Sequence, residues 1–100
     1  MPKTWFITGS GRGLGRAIAC AALERGDLVA ASSRRLSDVE DLVEQFGDGV
    51  LPLALDIRDR SAAAPALEVA RHKFGRIDVV VNNAARSLVA AVEEATGAGT

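Results

Sequence analysis

Short apolar runs alternate with longer amphipathic segments along this chain of 100 residues. The runs are rich in Val, Ile, Leu and Ala and are bounded by Gly, Asp, Asn and Ser, which is typical of strands. They predict strands at residues 3–8, 27–33, 50–55 and 77–82. Few polar residues interrupt the second and fourth runs, as expected for strands whose two faces are both covered by helices.

The segments between the runs carry apolar residues at helical spacing. The first predicted helix begins at Leu14 and ends before Gly26. The second begins with the sequence S-D-V-E at residues 37–40, which has the form of a capping box, and ends before Gly47.

A third predicted helix is capped by Asp59 or Ser61 and ends before Gly75. Pro65 either belongs to a delayed first turn of this helix or kinks it. Residues 88–95 predict a short helical turn after the fourth strand.

The alternation of strand and helix predicts a parallel sheet with right-handed crossovers. Pro52 cannot donate a hydrogen bond to a neighbouring strand, so the third strand is expected at the sheet edge. The strand order 3-2-1-4 of a doubly wound fold requires the same position. We therefore expect an α/β fold: a partial Rossmann-type, doubly wound parallel sheet of about four strands with three helices, in one domain of residues 1–100.

Composition narrows the classes of function. Hydrophobic residues make up 48% and charged residues 25% of the chain, as in ordinary globular domains. A net charge of -1 gives no reason to expect nucleic acid as a partner. No apolar run approaches the ~18 to 20 residues of a membrane span, and the first residues lack a signal-peptide core, so we expect a cytoplasmic protein. The single cysteine, Cys20, is expected to pack as a small apolar residue of a helix, and the single histidine, His72, is expected on the surface. No metal site is expected.

The candidate chemistry lies in the turn after the first strand, T-G-S-G-R-G-L-G at residues 8–15. A strand that enters a helix through glycines presents unpaired backbone N–H groups and the positive end of the helix dipole to one point, which suits a phosphate. The pattern G-x-G-x-x-G does not fit, because Leu14 or Arg16 occupies the place of its last glycine. The G-K-S/T of triphosphatase loops is absent, and the pattern that fits is T-G-x-x-x-G-x-G. An ordinary glycine-rich turn is the alternative.

The residues expected around the phosphates follow from this motif. They are Thr8, Gly9, Ser10, Gly11, Arg12, Gly13 and Leu14. Gly15 completes the motif with a packing role, because it lets the helix lie close to the sheet.

The loop resembles that of the short-chain dehydrogenase/reductase family. A second resemblance, N-N-A-A at residues 82–85, is similar to the N-N-A-G signature that follows the fourth strand of the family. It implies that Asn82 ties strands together and that the backbone of Asn83, Ala84 and Ala85 lies against the cofactor ribose. Ala85 replaces the signature's glycine, which would strain the loop if that backbone needs a positive φ or a close approach.

The residue that closes the second strand of a dinucleotide fold decides which cofactor fits. Ser33 occupies that place and carries no charge. Arg34 follows it, Arg12 lies in the loop, and an arginine fork matches phosphate oxygens, so the two could hold a 2′-phosphate. In the family resembled, basic residues at both places accompany preference for NADP(H). NADP(H) is therefore the expected cofactor, with NAD less favoured, and Arg35 is expected in solvent.

The resemblance also implies a contact to adenine. Asp56, which follows the third strand with Ile57, is similar to the family's aspartate that hydrogen-bonds the adenine amino group. A turn or capping role is the alternative for Asp56.

Hydride transfer in the family depends on a serine, a tyrosine and a lysine beyond the fourth strand, with the tyrosine of Y-x-x-x-K as general acid or base. This chain contains no tyrosine. We expect the N-terminal, NADP(H)-binding part of a short-chain oxidoreductase, truncated before the catalytic segment and inactive alone. Its carbonyl or alcohol substrate would bind only in a full-length parent. The alternatives are a non-catalytic NADP(H)-binding or sensing module and a structural protein that has lost the ligand.

Overall fold

The computed structural model describes residues 2–83, except the side chain of residue 60, and alternates four strands with three α-helices over that range. The strands are β1 (Thr4–Ile7), β2 (Leu28–Ser33), β3 (Val50–Ala54) and β4 (Val79–Val81). The helices are α1 (Gly13–Glu24), α2 (Glu40–Phe46) and α3 (Arg60–Phe74). Short 3-10 turns at Leu36–Asp38 and Gly47–Gly49 lie on either side of α2.

The strands form one parallel sheet in the order β3-β2-β1-β4. In the register of this sheet, Phe6 of β1 lies opposite Ala30 of β2 on one side and Val80 of β4 on the other. The α/β class, the strand order and the edge position of β3 predicted from Pro52 are thereby confirmed. Among the described residues β4 pairs with β1 alone.

Alternating side chains of β1 and β2 fill two apolar layers, because successive residues of a strand point to opposite faces of the sheet. Ile7 and Val29 pack with α1 and α2, where Leu42 of α2 has no exposed surface. Phe6 and Ala30 point the other way and pack against α3. The sheet is therefore covered by helices on both faces, as the apolar second run predicted.

Two aspartates bind the backbone at the start of β1, at Lys3, which precedes the strand, and at Thr4, its first residue. The backbone N–H of Lys3 donates to Asp27 Oδ1 at 3.1 Å, and that of Thr4 donates to Asp78 Oδ2 at 2.8 Å. Asp27 precedes β2 and Asp78 precedes β4, so each carboxylate joins the central strand to one of its neighbours.

The capping box predicted at residues 37–40 is wrong. Residues Leu36–Asp38 form a 3-10 turn, Val39 occupies the N-cap position, and no side chain caps the first turn of α2. Val39 has no exposed surface, and its burial in the layer under α1 and α2 sets the start of the helix at Glu40. The packing of one apolar side chain outweighs a local hydrogen-bonding pattern here.

The start of α3 is as predicted at Asp59, whose carboxylate accepts a hydrogen bond from the Ser61 N–H at 3.0 Å. Pro65 lies well inside α3, so the delayed-first-turn interpretation is wrong. Its ring nitrogen has no proton to donate to the preceding turn. The helical turn predicted at residues 88–95 lies outside the described residues.

Candidate cofactor-binding site

A cleft of about 720 Å³ opens at the carboxyl ends of the strands. It is reached by residues that close or follow β1, β2, β3 and β4 in turn, as is usual for ligand sites of open parallel sheets. These cleft residues are Gly9, Gly11, Arg12, Gly13, Leu14, Ser33, Arg34, Arg35, Asp38, Leu55, Ile57 and Asn83.

The loop from β1 to α1 needs glycine at two positions because its backbone turns left-handed there. The φ angles are 63° at Gly9 and 62° at Gly13. A residue with a side chain would be strained at these angles. A Cβ on Gly13 would meet no protein atom within 4 Å, so the backbone of this residue faces open space in the cleft. A ligand can approach the loop closely at that point.

Gly15 is required for a different reason. A Cβ on it would collide with the carbonyl oxygen of Gly9 and lie 2.9 Å from Nδ2 of Asn83. The first turn of α1 therefore rests directly on the loop backbone. Gly15 thus has a packing role, as predicted, but the close approach is to the loop and Asn83 rather than to the strands of the sheet.

Asn83 anchors the end of β4 to the same loop. Its backbone N–H donates to Thr8 Oγ1 at 3.0 Å, and its Nδ2 lies 3.5 Å from the Gly9 carbonyl oxygen. Thr8 Oγ1 in turn donates to the Val81 carbonyl oxygen at 3.4 Å. Thr8 is buried, so this residue shapes the loop from beneath, whereas Asn83 reaches the cleft itself.

Ser10 also acts from beneath the loop. Its hydroxyl donates to the Ile7 carbonyl oxygen at 2.7 Å, and its N–H donates to the Ser32 carbonyl oxygen at 2.9 Å. Ser10 is fully buried. These bonds tie the loop to β1 and β2 and hold its exposed glycines in place.

The amino end of α1 is open to an anion. Arg12 is its N-cap, no side chain caps the helix, and its first turn contains no acidic residue. By contrast, the first turn of α2 carries Glu40 and Asp41. Because first-turn N–H groups have no acceptor within a helix, those of α1 are available to a phosphate on the cleft side.

Three arginines stand around the cleft. Arg12 comes from the loop, and Arg34 and Arg35 follow β2. Among residues 2–83 none of the three forms an ion pair. Arg35 is exposed to solvent, as expected, and it also lines the cleft beside Arg34.

Asp38 lines the cleft as well, although its place in the sequence does not predict it. Ser33 Oγ donates to Asp38 Oδ2 at 3.0 Å, and the Asp38 Cβ lies 2.9 Å from where a Cβ on Gly11 would be. The 3-10 turn brings this carboxylate back to the end of β2. No sequence pattern predicts this position of Asp38, because it depends on the 3-10 conformation of Leu36–Asp38.

Asp56 stands beside the cleft, between Leu55 and Ile57, which line it. Its carboxylate accepts hydrogen bonds from the Arg58 N–H, Nε and Nη2 at 3.0, 3.0 and 2.9 Å. The Arg58 side chain and backbone N–H hold the pKa of Asp56 at about 2, and the nearby Arg34 charge contributes in the same direction. Arg58 uses three of the roughly four acceptor positions of a carboxylate, so one is left for a ligand donor.

The structure thus brings together most of the residues predicted from sequence. Gly9, Gly11, Arg12, Gly13, Leu14, Ser33, Arg34, Ile57 and Asn83 line one cleft. Ala84 and Ala85 lie outside the described residues. Leu55, which was missed, directly follows β3 and could have been found from its place at a strand end.

Within residues 2–83 there is no set of three His, Cys, Asp or Glu side chains that could hold a metal ion. Nor does this part of the chain contain a helix long and apolar enough to cross a bilayer.

Comparison with known proteins decides the family. Residues 3–98 match the family described as short chain dehydrogenase. The chain belongs to the short-chain dehydrogenase family. An oxidoreductase of Botryotinia fuckeliana, BOA17, is 52% identical over 95 residues, which cover 94% of this chain and 35% of that protein. The chain therefore spans about a third of the length of this relative.

Solved structures share the fold described above. A 3-ketoacyl-(acyl-carrier-protein) reductase from Brucella melitensis complexed with NADH has a TM-score of 0.77 and 35% identity, with 82% of this chain and 34% of that chain covered. L-Sorbose reductase from Gluconobacter frateurii complexed with NADPH and L-sorbose has a TM-score of 0.74 and 33% identity, with coverages of 84% and 34%. The two relatives carry different nicotinamide cofactors on one fold.

Proposed function

We propose that residues 1–100 are the NADP(H)-binding portion of a short-chain oxidoreductase. The observation that carries the proposal is the placement of Arg12 and Arg34 in one cleft without an ion-pair partner among residues 2–83. Two guanidinium groups that approach from the loop and from the end of β2 suit a phosphate on the adenosine ribose.

The rest of the cleft fits a dinucleotide. The open space at Gly13 and the uncapped amino end of α1 offer backbone N–H donors to the pyrophosphate. Asp56 has one acceptor position left for the adenine amino group. Asn83, held against Gly9, lies on the β4 side of the cleft, where the ribose next to nicotinamide would lie.

The reaction proposed for a full-length parent is hydride transfer between the nicotinamide ring and a carbonyl or alcohol substrate in the cytoplasm. The nicotinamide supplies the hydride chemistry, and the residues of this chain bind and orient the dinucleotide. Since the chain contains no tyrosine, it cannot supply the family's acid-base group. We propose that these residues alone bind cofactor without turnover.

Amide NMR spectra of the 100-residue chain, titrated with NADP+ and separately with NAD+, test the proposal. Peaks of Gly9, Gly13 and Arg34 are expected to shift with NADP+ at lower concentrations than with NAD+. A collapsed spectrum, or peaks that neither nucleotide moves, would overturn it.

The matched variants are Arg34→Gln and Arg25→Gln, since Arg25 is an exposed arginine at the opposite end of α1 from Arg12. We expect Arg34→Gln to lower the affinity for NADP+ roughly tenfold, because one charge-assisted phosphate contact is lost. The affinity for NAD+ is expected to change by less than about twofold. Arg25→Gln is expected to change neither affinity. Equal effects of the two variants would argue against a 2′-phosphate site.

A further inference from the structure

We infer that Asp38 is a cofactor-specificity residue that allows the cleft to bind NAD(H) as well as NADP(H). The inference rests on the proposed function and concerns the adenosine ribose. The Asp38 carboxylate, in the 3-10 turn, would accept hydrogen bonds from the ribose hydroxyls. A carboxylate at the end of β2 would otherwise do so, but Ser33 at that place carries no charge.

The position of Asp38 is fixed by its surroundings. The turn is closed by hydrogen bonds from Asp38 N–H to the Arg35 carbonyl oxygen at 3.0 Å and from Val39 N–H to the Leu36 carbonyl oxygen at 3.1 Å. Val39, the next residue, is fully buried. An anchored turn therefore carries the carboxylate, although the side chain itself is exposed.

The carboxylate is aimed at the place where two parts of a dinucleotide site meet. On one side Asp38 packs on Gly11 of the loop, at a distance that leaves no room for a Cβ there. On the other side it accepts the hydrogen bond from Ser33 at the end of β2. In dinucleotide folds the pyrophosphate lies on the loop and the adenosine ribose at the end of the second strand. Asp38 is placed between them.

The chemistry of a carboxylate favours one ligand. An ionised aspartate only accepts hydrogen bonds, and Ser33 uses one of its roughly four acceptor positions. Within residues 2–83 no cation pairs with it, so its negative charge is uncompensated by contact. Ribose hydroxyls are donors that fit such a group, whereas a 2′-phosphate is repelled by it.

The cleft therefore carries two opposing determinants within a few residues. Arg34, with Arg12, attracts the 2′-phosphate of NADP(H), and Asp38 attracts the free 2′-hydroxyl of NAD(H). A site built this way discriminates less between the two cofactors than its arginines alone would predict.

The test measures dissociation constants of NAD+ and NADP+ by calorimetry for the 100-residue chain and for Asp38→Asn and Asp38→Ser. We expect Asp38→Asn to raise the ratio of NADP+ to NAD+ affinity by about tenfold, from loss of a hydrogen bond to a charged group and of repulsion. Asp48→Asn is the control for net charge, because Asp48 is an exposed carboxylate before β3, at the other end of the strands. It is expected to leave the ratio within about twofold.

A modified ligand supplies a second measurement that needs no variant to fold well. The NAD+ analogue that lacks the adenosine 2′-hydroxyl is expected to bind the unaltered chain roughly fivefold to tenfold more weakly than NAD+. Asp38→Asn should reduce that difference to less than about twofold.

The outcomes separate this inference from the proposed function. If the unaltered chain binds neither nucleotide, the proposed function fails and the inference fails with it. If it binds them but the ratio is the same in Asp38→Asn and Asp48→Asn, or the analogue binds as well as NAD+, the inference alone is overturned.

Discussion

The indole Nε1 of Trp5 donates a 3.0 Å hydrogen bond to Oδ2 of Asp27, whose other oxygen accepts the Lys3 N–H. Trp5 lies in β1, and this hydrogen bond is at the opposite end of the sheet from the cleft. The indole bond, and then the Lys3 backbone bond, hold the pKa of the Asp27 carboxyl below its usual range. The pair closes the amino end of the sheet.

Asp27 makes stability depend on pH in a defined direction. A carboxyl whose folded pKa is depressed stabilises the fold fully above its unfolded pKa, about 3.9, and loses that contribution as the pH falls through the folded value. We expect the urea midpoint to be flat between pH 5 and 7 on this account and to drop below pH 4. In Asp27→Asn the midpoint should be lower at pH 7, and the acid drop smaller. Parallel curves for the two proteins would contradict the assignment.

Gly15→Ala should damage both the fold and the site. The added methyl meets the Gly9 carbonyl oxygen and Asn83, and the backbone on both sides cannot move without disturbing the loop. We expect a loss of about 1 to 3 kcal/mol in the free energy of unfolding, measured by urea titration, and weaker binding of both nucleotides. Gly49→Ala is the control, since its Cβ would lie at an ordinary 3.5 Å from Leu23 Cδ2. A Gly15→Ala protein as stable as this control would refute the close approach.

Asp56→Asn should lower the affinities for NAD+ and NADP+ by the same factor. The adenine ring is common to both cofactors, so a residue that binds the adenine amino group cannot change their ratio. We expect a roughly threefold to tenfold loss for each in calorimetry. Because the pKa of Asp56 is about 2, this contact should persist down to pH 4. A changed ratio would place Asp56 at the ribose instead.

NADP+ binding should weaken in mild acid whereas NAD+ binding should not. A phosphate monoester takes up a proton near pH 6, so the 2′-phosphate of NADP+ carries less negative charge in mild acid. Between pH 7 and 5 we expect the NADP+ affinity to fall roughly threefold to tenfold as the 2′-phosphate loses one charge. Arg34→Gln should show a shallower fall, which calorimetry at the two pH values can measure. Equal pH dependence for both nucleotides would mean that the phosphate lies outside the arginine cleft.

The sheet was predictable because its signal is local. Each apolar run predicts its own strand, Pro52 marks the edge, and the glycines of residues 8–15 mark the turn toward the cleft. Those features depend on backbone sterics and on burial at fixed spacing, which a single sequence displays. The positions of Arg12, Arg34 and Ser33 in one cleft follow from the strand order alone.

The parts that could not be predicted depend on distant packing. The burial of Val39 overrides the capping pattern at residues 37–40 and brings Asp38 to Gly11. Asn83 reaches Gly9 across 74 positions of sequence, and no local pattern encodes that contact.

β1 is an inner strand of the sheet, and it precedes both of its neighbours, β2 and β4, in the chain. β1 pairs with β2 after about 25 residues, but its other edge waits for β4, and Thr4 meets Asp78 only 74 positions later. On a ribosome that adds roughly 5 to 20 residues per second, the edge stays open for several seconds. A pause between β2 and β4 lengthens that interval, and during it the nascent chain presents an apolar strand to whatever lies nearby.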